Sequence, residues 1–104
     1  MDERRKNPRA YVSFPIECNL LPKGDYFYTV SKDLSIGGAR ILSNEFISKN
    51  NCLKLNINFI DKVVDLKAKI VWCNKERVAE RYAAGLEFQE LSDENKRYLY
   101  SILR

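Results

Sequence analysis

The sequence predicts an all-β-dominated domain: a six-stranded antiparallel β-barrel carrying one C-terminal α-helix. Three observations predict it. Apolar residues recur at every second position in short runs from residue 10 to about residue 90, the spacing of strands buried on one face. Residues of turn-forming type separate those runs. The period changes to three and four only near the C-terminus, where a single amphipathic helix fits. At 104 residues the chain is one domain's worth, with core enough for one barrel.

The elements follow in order. Val12, Phe14, Ile16, Cys18 and Leu20 alternate with polar partners and predict a first strand over residues 10–20. Pro15 has no N–H for a central ladder, which asks for a free edge or a bulge nearby. Pro22-Lys23-Gly24-Asp25 is a turn by composition, and Tyr26–Val30 is aromatic and β-branched, hence a second strand. A polar stretch, Ser31 to Gly38, leads into a strand over Ala39–Leu42. Leu53, Leu55, Ile57 and Phe59 predict the fourth strand; Val64, Leu66, Ala68, Ile70 and Trp72 give the fifth and longest core-facing stripe. Asn74–Arg81 is a polar connector, and Tyr82, Ala84, Leu86 and Phe88 predict the sixth strand. Ser92 is a good N-cap, followed by Asp93 and Glu94 at the positive end of the helix dipole. Tyr98, Leu99, Ile102 and Leu103 then form one apolar stripe, with Arg104 closing the last turn.

Composition narrows the function. There is no histidine, so His triads, His-ligated metals and the commonest general base at neutral pH are absent. The three cysteines (Cys18, Cys52, Cys73) are odd in number and far apart, and read as small buried hydrophobes rather than a disulfide framework or zinc site. Most of the fourteen acids fall in turns, on solvated strand faces or in the first helical turn, so no catalysis is expected. The residues after Met1 do not read as a charged n-region followed by an apolar stretch, so no signal peptide is expected, and no apolar run approaches the roughly 20 residues of a membrane helix; a cytoplasmic protein without membrane insertion is expected. The net charge of +4 is mild, far from the dense basic stripe of a duplex-DNA binder. It is also unevenly placed: Arg4, Arg5, Lys6 and Arg9 crowd the first ten residues, which suits a local anion site.

Two segments carry chemistry. In Arg4-Arg5-Lys6-Asn7-Pro8-Arg9, Pro8 biases Asn7 toward extended backbone, so Arg5 and Arg9, an even number of residues apart, can point to one side. Arginine suits phosphate because its planar fork donates two hydrogen bonds and keeps its charge. The second segment is Asp33-Leu34-Ser35-Ile36-Gly37-Gly38, where Asp and Ser side chains can set a turn and glycine admits close approach. Taken alone, the first also reads as a solvated terminus and the second as an ordinary inter-strand loop.

Together, in this order and on this strand pattern, they change the reading. An RxxxR arm, a strand, DxSxxG at the next inter-strand turn, a barrel and a C-terminal helix closely resemble the PilZ domain over the full chain. Gly85-Leu86-Glu87-Phe88 is similar to the family's glycine-hydrophobe-x-Phe strand. The resemblance implies a single PilZ-type domain over residues 1–104: a flexible basic arm (1–9), the barrel (10–90) and the helix (92–104). It also implies a receptor for cyclic di-GMP, with no further cofactor. By that resemblance Arg5 and Arg9 grip phosphate and guanine, Asp33 accepts from a guanine edge, and Ser35 hydrogen-bonds the ligand. Gly37 and Gly38 let the backbone approach, and Arg4 stacks on a base. Trp72 reads as core more readily than as a guanine-stacking residue, Arg40 reads equally as a residue reaching the site or as a solvated strand residue, and both are kept outside the predicted site.

On this reading, ligand ordering of the arm is sensed by a downstream protein partner, and neither DNA nor RNA is a ligand. One rival is a single-stranded nucleic-acid module on an OB-like barrel, whose binding would fall steeply with salt. The other is a PilZ-like barrel without ligand that mediates protein contact.

Overall fold

The computed structural model describes residues 9–10, 13–22, 24–78 and 80–103. Eight strands and one helix run in the order β1 (Arg9–Ala10), β2 (Pro15–Leu20), β3 (Asp25–Val30), β4 (Leu34–Ser35), β5 (Gly38–Ser43), β6 (Cys52–Asn58), β7 (Val63–Lys75), β8 (Tyr82–Gln89) and α1 (Asp93–Ile102). Six of them form one antiparallel sheet in the order β3-β2-β6-β7-β8-β5, while β1 and β4 pair separately. The expected six-stranded antiparallel sheet with a C-terminal helix is therefore present, as a curled sheet whose two edges, β3 and β5, come together at one end.

The alternation in sequence becomes two faces. Leu53, Leu55 and Ile57 of β6, Val64, Leu66, Ala68 and Ile70 of β7, and Ala84, Leu86 and Phe88 of β8 point into one core with Ile16, Cys18 and Ile41. Full burial of each large aliphatic side chain contributes roughly 1.5–3 kcal/mol, so the concave face holds the sheet together. Burial and neighbouring Glu17 push the Cys18 thiol up to about 12, the behaviour of a structural rather than a reactive cysteine.

The helix closes this face. Ser92 caps it, its Oγ accepting from the Asn95 N–H at 3.0 Å. Leu99 and Leu103 are buried against the sheet. Three rings connect sheet to helix: Phe14 to Phe59 at 4.8 Å between centroids, and Phe59 to Tyr98 at 5.5 Å. The Tyr98 hydroxyl donates to Asp61 at 2.7 Å, and Lys62 lies 4.9 Å over the same ring. Desolvation, then the Asp61 carboxylate, push the Tyr98 hydroxyl up to about 12. Arg104 lies outside the described residues, and the helix itself has no basic residue in its last turn.

Three expectations change. The single strand over residues 10–20 is two pieces: Arg9–Ala10 leaves to pair with Leu34–Ser35, and the main-sheet strand starts at Pro15. Pairing of β2 with β6 begins only at Ile16, so Pro15 needs no donor on that side, which is the free edge a proline requires. The polar connector is shorter than expected, because β7 continues through Asn74 and Lys75. Trp72 does not end the core-facing stripe. Register jumps from Ile70↔Leu86 to Trp72↔Gly85, leaving Val71 as a bulge. One extra residue moves every following side chain to the other face, so Trp72 stands 39% exposed on the convex side.

Candidate functional site

Of the residues singled out in sequence, Asp33, Ser35, Gly37 and Gly38 meet at one corner of the convex surface. The two-residue bridge between β1 and β4 sets Arg9 directly opposite Ser35 and Ala10 opposite Leu34. Leu34 is fully buried and pins β4 to the core, so the short bridge is fixed relative to the barrel. The DxSxxG turn then passes from β4 into β5, and the Ser35 hydroxyl closes it by donating to the Gly38 carbonyl at 3.4 Å. Arg4 and Arg5 lie outside the described residues, and of Arg9 only the backbone position is described.

Beside this turn lies an open groove of about 470 Å³ that collects Asp33, Ser35, Gly37, Gly38, Arg40 and Trp72. Four of the predicted positions (Asp33, Ser35, Gly37, Gly38) thus line one concavity, together with Arg40 and Trp72, which are not among the sequence-predicted positions. The two added residues belong to one cross-strand row: Arg40 pairs with Gly85 on β8, and Gly85 pairs with Trp72 on β7. The glycine at the centre of the row leaves space that the indole itself occupies.

The glycines do different work. A Cβ on Gly85 would fall within the indole, 2.8 Å from Trp72 Cδ1, so Gly85 is what lets the indole lie flat across the sheet. A Cβ on Gly38 would overlap the carbonyl oxygen of Leu86 and sit 3.1 Å from its carbonyl carbon. Close approach of β5 to β8 therefore requires Gly38 whatever the groove binds. Gly37 has no neighbour within 4 Å of where a Cβ would stand, and it is the glycine with open space before its backbone.

The groove's electrostatics are mixed. Asp33 is half-buried, Arg40 is exposed, and Glu87 on the far wall is engaged by Lys69 at 3.7 Å. The arrangement offers carboxylate and hydroxyl acceptors, a flat indole and a cation within one concavity, which suits a planar heterocycle bearing donors and an anion. Among the described residues no group of three His, Cys, Asp or Glu side chains could hold a metal ion. Among the same residues no helix is long and apolar enough to cross a membrane. The signal that could have found Trp72 is its exposed partner row, but a one-residue bulge leaves no mark in hydrophobic periodicity.

Comparison with known proteins agrees with this architecture. The chain matches the family model of the PilZ domain over residues 3–104. It is similar in structure to the inhibitor of motility (MotI/DgrA) of Bacillus subtilis, with a TM-score of 0.80 and 17% identity over 98% of this chain and 50% of that one. It is also similar to the PilZ domain of Escherichia coli YcgR, solved with c-di-GMP, with a TM-score of 0.78 and 16% identity over 97% of this chain and 89% of that one. The PilZ domain of CeSA from a cellulose-synthesizing bacterium gives a TM-score of 0.70 and 15% identity over 91% and 93%. The chain thus spans half of MotI/DgrA and nearly all of the isolated PilZ domains. No curated protein matches the sequence. With the family pattern running almost end to end, and the curled sheet and helix shared with PilZ domains of known structure, the chain belongs to the PilZ domain family.

Proposed function

We propose that this protein is a non-catalytic receptor for cyclic di-GMP that binds the nucleotide at the groove beside the Asp33–Gly38 turn. The observation that carries the reading is the β1–β4 bridge, which holds the backbone of the last arm arginine, Arg9, against Ser35. That backbone register supports a basic leader that ends at the turn carrying the acceptors of Asp33 and Ser35. The membership in a family with a c-di-GMP-bound member supports the same ligand.

In this reading Arg5 and Arg9 bind phosphate and guanine, Asp33 accepts from a guanine edge, and Ser35 adds a hydrogen bond. The open space before Gly37 admits the ligand to the backbone, and Gly38 sets the strand spacing that shapes the turn. Arg4 stacks on a base from the arm side, and Trp72 with Arg40 supplies the opposite shelf. Charge-assisted hydrogen bonds of this kind contribute about 1.5–3 kcal/mol each. Ordering the arm costs about 1–2 kcal/mol per residue, so binding is moderate and its output is a rearranged arm that a cytoplasmic partner protein senses.

Calorimetric titration of the full chain with cyclic di-GMP, with GTP and GMP as controls, tests this. Saturable binding of the cyclic dinucleotide alone is expected. Equal binding of all three, or none, would contradict the assignment.

A further inference from the structure

A second concavity lies where the sheet fails to close. The Ser31 N–H donates to the Phe14 carbonyl at 2.9 Å, so by strand alternation the backbone groups of Tyr26, Tyr28 and Val30 face away from β2 and toward β5. The edges join at one end: the Lys32 N–H donates to the Arg40 carbonyl at 2.7 Å. One step on, the Leu42 N–H is taken at 3.2 Å by the Thr29 hydroxyl instead of a carbonyl. A side chain standing in for the ladder marks where the strands diverge. Beyond it a groove of about 790 Å³ opens between β3 and the segment Leu42–Ile47.

Its lining has a definite chemistry. Phe27 and Ile47 give an apolar floor, and Tyr26, Tyr28 and Phe46 stand exposed around it, Tyr28 at 77%. Phe46 is steadied by an edge contact with Tyr82 at 5.9 Å between centroids. Arg81 is the single cationic residue lining the groove among the described residues, and it is held by Glu76 at 2.9 Å. Asp25 and Glu45 carry no cationic partner among the described residues. A chain of net charge +4 is here locally acidic and aromatic.

We propose that this unclosed seam is a docking site for an extended segment of a partner protein, added as a strand to the free edge of β3 and alternating apolar residues with Lys or Arg. An added strand satisfies the outward backbone groups of Tyr26 and Tyr28, which a helix would leave unpaired. Its apolar side chains reach the Phe27–Ile47 floor, its cations stand on the opposite face over Tyr26 and Tyr28, and the carboxylates of Asp25 and Glu45 at the groove's rim favour a cationic strand over an anionic one. A second copy of this chain is a poorer occupant, because edge-to-edge pairing would set the same acidic rim against itself.

Amide shift mapping of the full chain tests this with two capped peptides, alternating valine–lysine and alternating valine–glutamate, six residues each. The basic peptide should move the amides of residues 25–30 and 42–47 and bind about ten-fold tighter than the acidic one. Tyr28→Pro removes a donor that faces the seam rather than β2, and should abolish binding of the basic peptide with the sheet amides unmoved. The double variant Asp25→Lys with Glu45→Lys leaves the edge intact and should invert the preference, which keeps the test decisive if the proline variant does not fold. Equal binding of both peptides, shifts confined to other surfaces, no shift at millimolar peptide, or concentration-dependent dimerisation through residues 25–30 would each overturn the proposal.

Discussion

The groove beside the glycine turn and the open seam both border β5, yet they are made of opposite materials. The first, about 470 Å³, is built from a glycine-closed turn, a carboxylate, a hydroxyl, an arginine and an indole laid over Gly85. The second, about 790 Å³, is larger and is built from a strand edge, apolar floor residues and acids that have no cationic partner among the described residues. Size therefore does not rank them. A small anionic ligand needs convergent donors and close backbone approach, which only the smaller concavity provides; an extended chain needs length and unpaired backbone, which only the larger one has.

That contrast can be broken by substitution. The largest effect is expected for Arg9→Ala, which should weaken cyclic di-GMP binding by about 2–4 kcal/mol without unfolding the barrel. Phe46→Ala at the seam should leave that affinity unchanged; calorimetry on the folded variants compares them directly. Equal losses in both would erase the distinction between the two concavities.

Trp72→Ala should lower affinity by about 1–3 kcal/mol, the range for base stacking on an aromatic side chain. The two glycines sharpen the point. Gly85→Ala meets the indole first, and the indole can swing outward, so the substitution should weaken the ligand while sparing the fold. Gly38→Ala meets the Leu86 carbonyl, and crowding backbone against backbone should cost about 1–3 kcal/mol of stability. Chemical denaturation alongside ligand titration separates the two. A Gly38→Ala variant as stable as the parent would contradict the close strand approach.

A smaller effect is expected far from both grooves. Ile60 sits at the β6–β7 hairpin with φ +81° and 89% exposure, a conformation β-branched residues rarely adopt. Ile60→Gly should raise stability by about 0.5–1 kcal/mol and leave ligand and peptide binding untouched. The smallest is a slope with pH. Cys18 is raised from 9.0 to about 12 in the folded protein, so the unfolded thiol loses its proton first. Its contribution to stability is complete below pH 9 and is lost as pH rises toward 12; denaturation midpoints should fall across that window, and less steeply in Cys18→Ala.

Much of this molecule is legible in its residues, for identifiable reasons. The period-2 faces of β6, β7 and β8 are long, and burial enforces them, so Leu53 to Phe88 alternate as written. Ser92 caps the helix as its side chain suggests. Two features escape. The bulge at Val71 inserts a single residue, which looks identical to continued alternation and hides the exposure of Trp72. The divergence of β3 from β5 depends on the Thr29 hydroxyl meeting the Leu42 N–H, 13 residues away, and no local pattern encodes it. The glycine turn was legible because its demands are local: Ser35 reaches only three residues, to Gly38. Its pairing with the arm was not, because a two-residue bridge between β1 and β4 has no periodicity to read.

The central claim is that cyclic di-GMP occupies the corner where β4 turns into β5. The most direct measurement is amide and indole shift mapping of the full chain on titration with that ligand. The account predicts shifts at residues 33–40, at Gly85 and at the Trp72 indole N–H, with residues 25–28 and 44–47 unmoved. Shifts centred on the seam with the glycine turn silent would contradict it.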